Sequence, residues 1–122
     1  MHYVRVYADA QGGSAFEDVR IESEERVIVE GVPPVSVSAP LPAAGVIFVE
    51  QTPDAAAWEH HVAPQRQWVI VLRGRASITV STGEVREFGP GDVLLAEDTE
   101  GSGHLSTPLT EDFAFVMIPT GP

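Results

Sequence analysis

The feature that most constrains this chain is a succession of short apolar runs between residues 67 and 96, each closed by a tight turn. Trp68 to Leu72 is unbroken and apolar and stops at Arg73-Gly74-Arg75. That is the pattern of a strand buried on both faces that ends in a turn. The following run, Ala76 to Ser81, alternates strictly, with Ala76, Ile78 and Val80 on one face and Ser77, Thr79 and Ser81 on the other. A period of two marks a strand with one dry side, and the two runs together read as a hairpin. Glu84 to Phe88 follows Thr82-Gly83, and Gly89-Pro90-Gly91-Asp92 leads into Val93 to Ala96. Each residue of this last turn contributes something different. Pro90 presets its backbone angle, Gly91 frees its own, and Asp92 accepts backbone hydrogen bonds. Three turns separate four short strands, which makes the chain all-β.

The flanks continue the pattern. Tyr3 to Tyr7 alternates, Gln11-Gly-Gly-Ser14 is a loop, and Phe16 to Ile21 and Arg26 to Glu30 read as two further strands. Pro33, Pro34, Pro40 and Pro42 then surround Val35 to Ala39, an arrangement compatible with an extended edge strand and not with a central one. Gly45 to Glu50 resumes as a strand, and the one helix candidate is a short turn at Asp54 to Trp58, where Pro53-Asp54 precedes three alanines. Phe113, Phe115 and Met117 alternate on a final strand; core packing is the first reading and the floor of a cavity the second. With no repeat or linker in 122 residues, a single domain is expected over 1–122. Within it, an N-terminal and proline-rich part, 1–50, leads to the patterned segment 58–104.

Charge and composition exclude several classes. With 18 Asp and Glu against 7 Lys and Arg, a net charge of −11 repels a phosphate backbone, so no nucleic-acid partner is expected. The chain has no cysteine, which excludes disulfides and thiolate metal sites and fits a reducing compartment. Charge appears too early for a signal-peptide core, and no apolar run approaches membrane-spanning length. The expectation is a cytoplasmic protein with no membrane partner.

His61 and Gln67 before an apolar strand, Gly74 closing it, then Gly89-Pro90-Gly91-Asp92, another strand and His104 resemble the two motifs of the cupin superfamily. The resemblance covers residues 58 to 104 and implies a jelly-roll barrel, two sheets around a ligand cavity. In that family two histidines separated by one residue precede a glutamate and a glycine. Here His61 stands at the first histidine, Ala63 at the second and Gln67 at the glutamate, while His104 arrives two residues late as the histidine of the second motif. The resemblance implies a divalent metal, zinc, nickel, iron or manganese, at His61, Gln67 and His104, on a degenerate donor set. Gln67 offers only a neutral carbonyl oxygen, and His60 points away from His61 wherever the chain is extended. His2, at the terminus, is set aside. Cupins also exchange an N-terminal strand between subunits. Tyr3 to Tyr7 fits that role and implies a homodimer; the alternative is a strand that closes its own sheet. Trp58 and Trp68 suit core or dimer-interface packing.

Two functions follow. In one, the cavity is an enzyme site where His61 or His104 acts as general acid or base on a small organic molecule. Gln65 and Gln67, which share parity with His61, would then hold a carbonyl or carboxylate. The chemistry would be isomerisation, cyclisation, elimination or, with a metal, oxygenation. In the other, the domain binds a small ligand without turning it over. Asp98 and Glu100 lie on the approach to His104 and could orient its ring, although acids in a glycine-rich loop are usually solvated. Gly101-Ser-Gly-His104 lacks the strand-to-helix setting of a nucleophile elbow, and Gly89-Pro90-Gly91 lacks the spacing and lysine of a phosphate loop.

Overall fold

A computed structural model describes residues 1–51 and 59–121. The helical turn expected at Asp54 to Trp58 lies outside these residues, as does Trp58 itself. In chain order the strands are β1 (His2–Ala8), β2 (Ser14–Arg20), β3 (Glu24–Arg26), β4 (Val35–Val37), β5 (Ile47–Glu50), β6 (Gln67–Arg73), β7 (Ala76–Thr79), β8 (Val85–Phe88), β9 (Val93–Glu97), β10 (Leu105–Pro108) and β11 (Ala114–Pro119). The fold is all-β, and no helix among the described residues is long and apolar enough to cross a membrane.

Six strands form one sheet in the order β2-β1-β9-β6-β11-β5, three form a second in the order β10-β7-β8, and β3 and β4 make a separate hairpin. Among the described residues only β1 and β9 run parallel; every other pair is antiparallel. The two larger sheets face each other. Val6, Phe16, Val71 and Leu94 from the six-stranded sheet meet Val80 and Phe88 from the three-stranded side in one buried cluster, with Val69 and Ile78 packed against it. The large sheet ends at β2 and β5, and among the described residues it does not close into a barrel.

The turn expected at Gly89 to Asp92 forms as its residues dictate. Asp92 Oδ2 accepts from the Gly89 amide at 2.8 Å, and the Asp92 amide donates back to the Gly89 carbonyl at 3.0 Å. The strand after it, β9, is thereby aimed into the centre of the large sheet. At the other end of β9, Glu97 accepts from both Arg5 and Arg66, joining β1 to the approach of β6. Burial pushes the Glu97 carboxyl up, but the two guanidinium hydrogen bonds outweigh it and hold the group below its ordinary range.

Three expectations are corrected. First, β6 and β7 are not a hairpin, because they belong to different sheets: β6 pairs with β9 and β11, and β7 with β8 and β10. Arg73-Gly74-Arg75 carries the chain from one layer to the other, with Arg73 Nε donating to the Asp112 carbonyl and the Arg75 amide to Thr110 Oγ1. Gly74 has φ 73°, and a Cβ there would sit 2.8 Å from the Phe113 backbone. Alternation and turn residues mark where strands end, not which strands they join.

Second, no strand spans Arg26 to Glu30. Val27, Ile28 and Val29 are exposed in the loop between β3 and β4, where the Val32 amide donates to the Val29 carbonyl. Pro33 and Pro34 supply no backbone donor, so the pairing is limited to three residues on each side. Third, the two faces of β6 are not buried alike. Gln67, Val69 and Val71 point between the sheets, whereas Trp68, Ile70 and Leu72 lie on the outer surface of the large sheet, Leu72 half exposed. Trp68 meets the edge of Tyr3 at 4.8 Å there, with Leu95 and Ile118 opposite it in register.

The N-terminal strand β1 lies inside its own chain's sheet, between β2 and β9.

Candidate functional site

Between the two sheets lies a cavity of about 250 Å³. Its walls are apolar: Val69, Val71 and Leu94 face Ile78 and Phe88 across it, and Phe113, Phe115 and Met117 all line it, so this alternating strand floors a cavity as well as packing the core. Among the described lining residues the polar side chains are His61, Gln67, His104 and Ser106. Gln67 stands opposite Ala96 in the β6–β9 register, so it occupies the end of the sheet where β9 leaves and β6 enters. His61 and His104 flank the same end, in the segments just before β6 and β10.

The two histidines are brought together by backbone pairing. His61 and His104 form an antiparallel bridge in which each amide donates to the other's carbonyl at 3.0 Å, and their rings lie 5.0 Å apart, centroid to centroid. The bridge requires glycine next to it. Gly103 has φ 70°, and a Cβ there would overlap the His61 carbonyl and the Val62 amide. Two residues on, the Ala63 amide donates to the Asp98 carbonyl, so 61–63 is laced along 98–104.

That loop is anchored from behind. Ser14, fully buried, donates its hydroxyl to the Gly103 carbonyl at 2.6 Å and accepts from the Ser81 amide at 3.0 Å, while the Ser14 amide donates to Ser81 Oγ at 2.6 Å. The Ser102 amide donates to the Gly12 carbonyl at 2.9 Å. Serine suits this position because one small hydroxyl satisfies a carbonyl and an amide at once, where an apolar side chain would leave both orphaned.

His104 is 8 % exposed, and its Nδ1 lies 2.5 Å from Asp98 Oδ2, a carboxylate with no exposed surface. The second Asp98 oxygen has no hydrogen-bond partner among the described residues. A carboxylate on Nδ1 fixes the ring and leaves Nε2 as the nitrogen available to a guest. His61 is exposed, with Nδ1 3.0 Å from the Val62 carbonyl. Gln67 is 5 % exposed; its Nε2 donates to Met117 Sδ at 3.3 Å, and its Oε1 has no partner among the described residues.

Of the residues picked out from the sequence, His61, Gln67 and His104 line one cavity, together with Ala63 at the position of the missing second histidine. Gln65 does not join them. It is exposed in the bend at residues 64–66, where Pro64 breaks the extended phase on which its shared parity depended. His60 and Glu100 are exposed, and His2 lies exposed at the start of β1. Asp98 is not the solvated loop acid that its glycine-rich neighbourhood suggests. The signal for its burial is its parity, since Leu94, Ala96 and Asp98 step inward from β9 at intervals of two. Ser106 and the Ser14–Ser81 anchor escape sequence reasoning, because their importance comes from contacts distant in sequence.

The residues present do not fit a divalent metal. Two imidazoles and one neutral amide supply no negative charge, Asp98 is engaged with the nitrogen of His104 on the ring's other side, and a methyl group stands where a third imidazole would. Among the described residues, no three His, Cys, Asp or Glu side chains form a group that could hold an ion. No protein-family model matches the chain, and no curated protein is significantly similar to it in sequence.

The dependence of the bridge on Gly103 can be tested against a glycine in open surroundings. Gly83→Ala carries only the left-handed backbone cost of about 1–2 kcal/mol, since nothing lies near its added Cβ. Gly103→Ala adds steric overlap with the His61 backbone. The urea midpoint should fall further for Gly103→Ala than for Gly83→Ala, and the amide signals of His61 and His104 should shift only in the former; equal losses would contradict the assignment.

Proposed function

We propose that this chain is a cupin-type jelly roll that binds a small organic molecule in its cavity and moves protons on it. The observation that carries the reading is the Asp98–His104 pair, buried beside a cavity whose other described lining residues are mostly apolar. A carboxylate held against Nδ1 orients the imidazole and leaves Nε2 facing the guest, the arrangement that suits a general base. Nε2 takes a proton from a carbon or oxygen of the guest, and the same proton, or one relayed through exposed His61, returns to another atom. No electrons are gained or lost. Isomerisation, cyclisation and elimination all have that balance, whereas oxygenation needs a metal the donor set does not suit.

The motif spacing that resembles cupins and the two facing β layers support the fold part of this reading. A non-catalytic binding domain is the competing reading, favoured by the small number of polar groups in the cavity. The two differ in deuterium exchange. Small cyclic ketones incubated in deuterated buffer and followed by NMR should lose protons next to the carbonyl faster with the protein than without it. His104→Gln and Asp98→Asn, which keep side-chain volume, should lower that acceleration by roughly 10²–10⁴-fold, and His2→Ala should leave it unchanged. Exchange that survives His104→Gln contradicts the assignment; ketones that bind without exchanging favour the binding domain.

A homodimer belongs to the same reading. The outer surface of the large sheet presents Tyr3, Trp68, Ile70, Leu72, Ile118 and Phe48, the last 76 % exposed, as one apolar face. A second copy of this chain packed across it would cover these side chains symmetrically. Light scattering should give twice the chain mass, and Trp68→Glu should halve it; a wild-type monomer at high concentration contradicts the proposal.

A further inference from the structure

The charge and hydrogen-bonding character of the cavity narrows what it can hold. Resting on the reading that this cavity is the ligand site, we infer that it selects an uncharged, largely apolar molecule of about one substituted ring that carries a hydroxyl or enol, and that it rejects carboxylates and phosphates.

Size is the first constraint. An apolar cavity of roughly 150 Å³ accommodates benzene, so one of about 250 Å³ accommodates a substituted ring. Charge comes next. The chain contains no lysine, and none of its seven arginines lines the cavity. Arg5, Arg26, Arg66, Arg73 and Arg86 are committed to carboxylates elsewhere, and Arg20 and Arg75 are exposed. The imidazole of His104 already faces a carboxylate of its own. A buried anion would therefore lose its hydration without gaining a permanent cation, a cost of several kcal/mol for an ionised carboxylate in an apolar setting.

The last constraint is the direction of the hydrogen bonds. Sulfur in Met117 can accept but not donate, which assigns Nε2 of Gln67 to it and turns the unpartnered Oε1 into an acceptor. With Nδ1 of neutral His104 donating to Asp98, Nε2 is also an acceptor. Oε1 of Gln67 is enclosed, so the acceptor within a guest's reach is Nε2 of His104, beside the Ser106 hydroxyl, which can give or take a hydrogen bond. A hydroxyl or enol pairs with both, a ketone in its keto form only with Ser106, and a hydrocarbon with neither. The enol of a carbonyl compound is thus the tautomer that the cavity holds best.

Three probes of nearly equal shape separate these features: 4-methylphenol, toluene and 4-methylbenzoate, each titrated at pH 7 against the methyl signals of Val69, Val71, Ile78, Leu94 and Met117. The phenol should bind roughly tenfold more tightly than toluene, and the benzoate should leave the cavity signals in place. His104→Phe should bring the phenol down toward the affinity of toluene. Benzoate binding as tight as that of the phenol overturns the inference, as does equal affinity for phenol and toluene, or no binding of any probe. None of these titrations requires His104 to move a proton. Failure of ketone exchange therefore leaves the selectivity standing, and failure of the titrations leaves the exchange result untouched.

Discussion

The interaction on which the site depends is the mutual backbone pairing of His61 and His104. It joins two segments separated by the whole of β6 to β9, and it does so at the one place where Gly103 lets the chains approach closely enough. Everything chemical is placed by this bridge. His104 is turned toward Asp98, Ala63 is tied to the Asp98 carbonyl, and Gln67 follows at the start of β6 with its amide in the cavity. Ser14 and Ser81 hold the bridge from behind, so the N-terminal hairpin serves the site although none of its polar side chains lines the cavity.

A buried carboxylate is costly unless something compensates it. Asp98 commits one oxygen to His104, and the other has no partner among the described residues. Such an arrangement adds little to stability, because the desolvation of two ionisable groups offsets most of their attraction. A fold that needed only packing at this position would do as well with a leucine. The pair is better explained by what it does to the ring of His104, which it fixes in one orientation beside an apolar space.

Much of the fold is legible in the sequence because it is local. Ala76, Ile78 and Val80 alternate and face inward, and Asp92 closes its turn with its own carboxylate, as residue type and spacing require. What is not legible is long-range. Nothing in Arg73-Gly74-Arg75 says whether the chain folds back beside β6 or crosses to the other sheet; contacts with Thr110 and Asp112 decide that. Val27 to Val29 has the composition of a strand but lacks a partner beside it. At the site, motif spacing locates His61, Gln67 and His104, whereas Gln65 is lost to a proline bend and Asp98 is hidden by its glycine-rich neighbourhood. Inward parity continued past the end of β9 is the signal that matters, and it carries further than residue type.

The central claim is that Asp98 holds His104 with Nδ1 protonated and presents a bare Nε2 to the cavity. Long-range nitrogen–proton correlation spectra of the protein labelled with nitrogen-15 in histidine, recorded above the pH at which imidazole is charged, read the tautomer directly. The account predicts that His104 carries its proton on Nδ1 in the wild type and loses that preference in Asp98→Asn. A wild-type His104 protonated on Nε2 would contradict it.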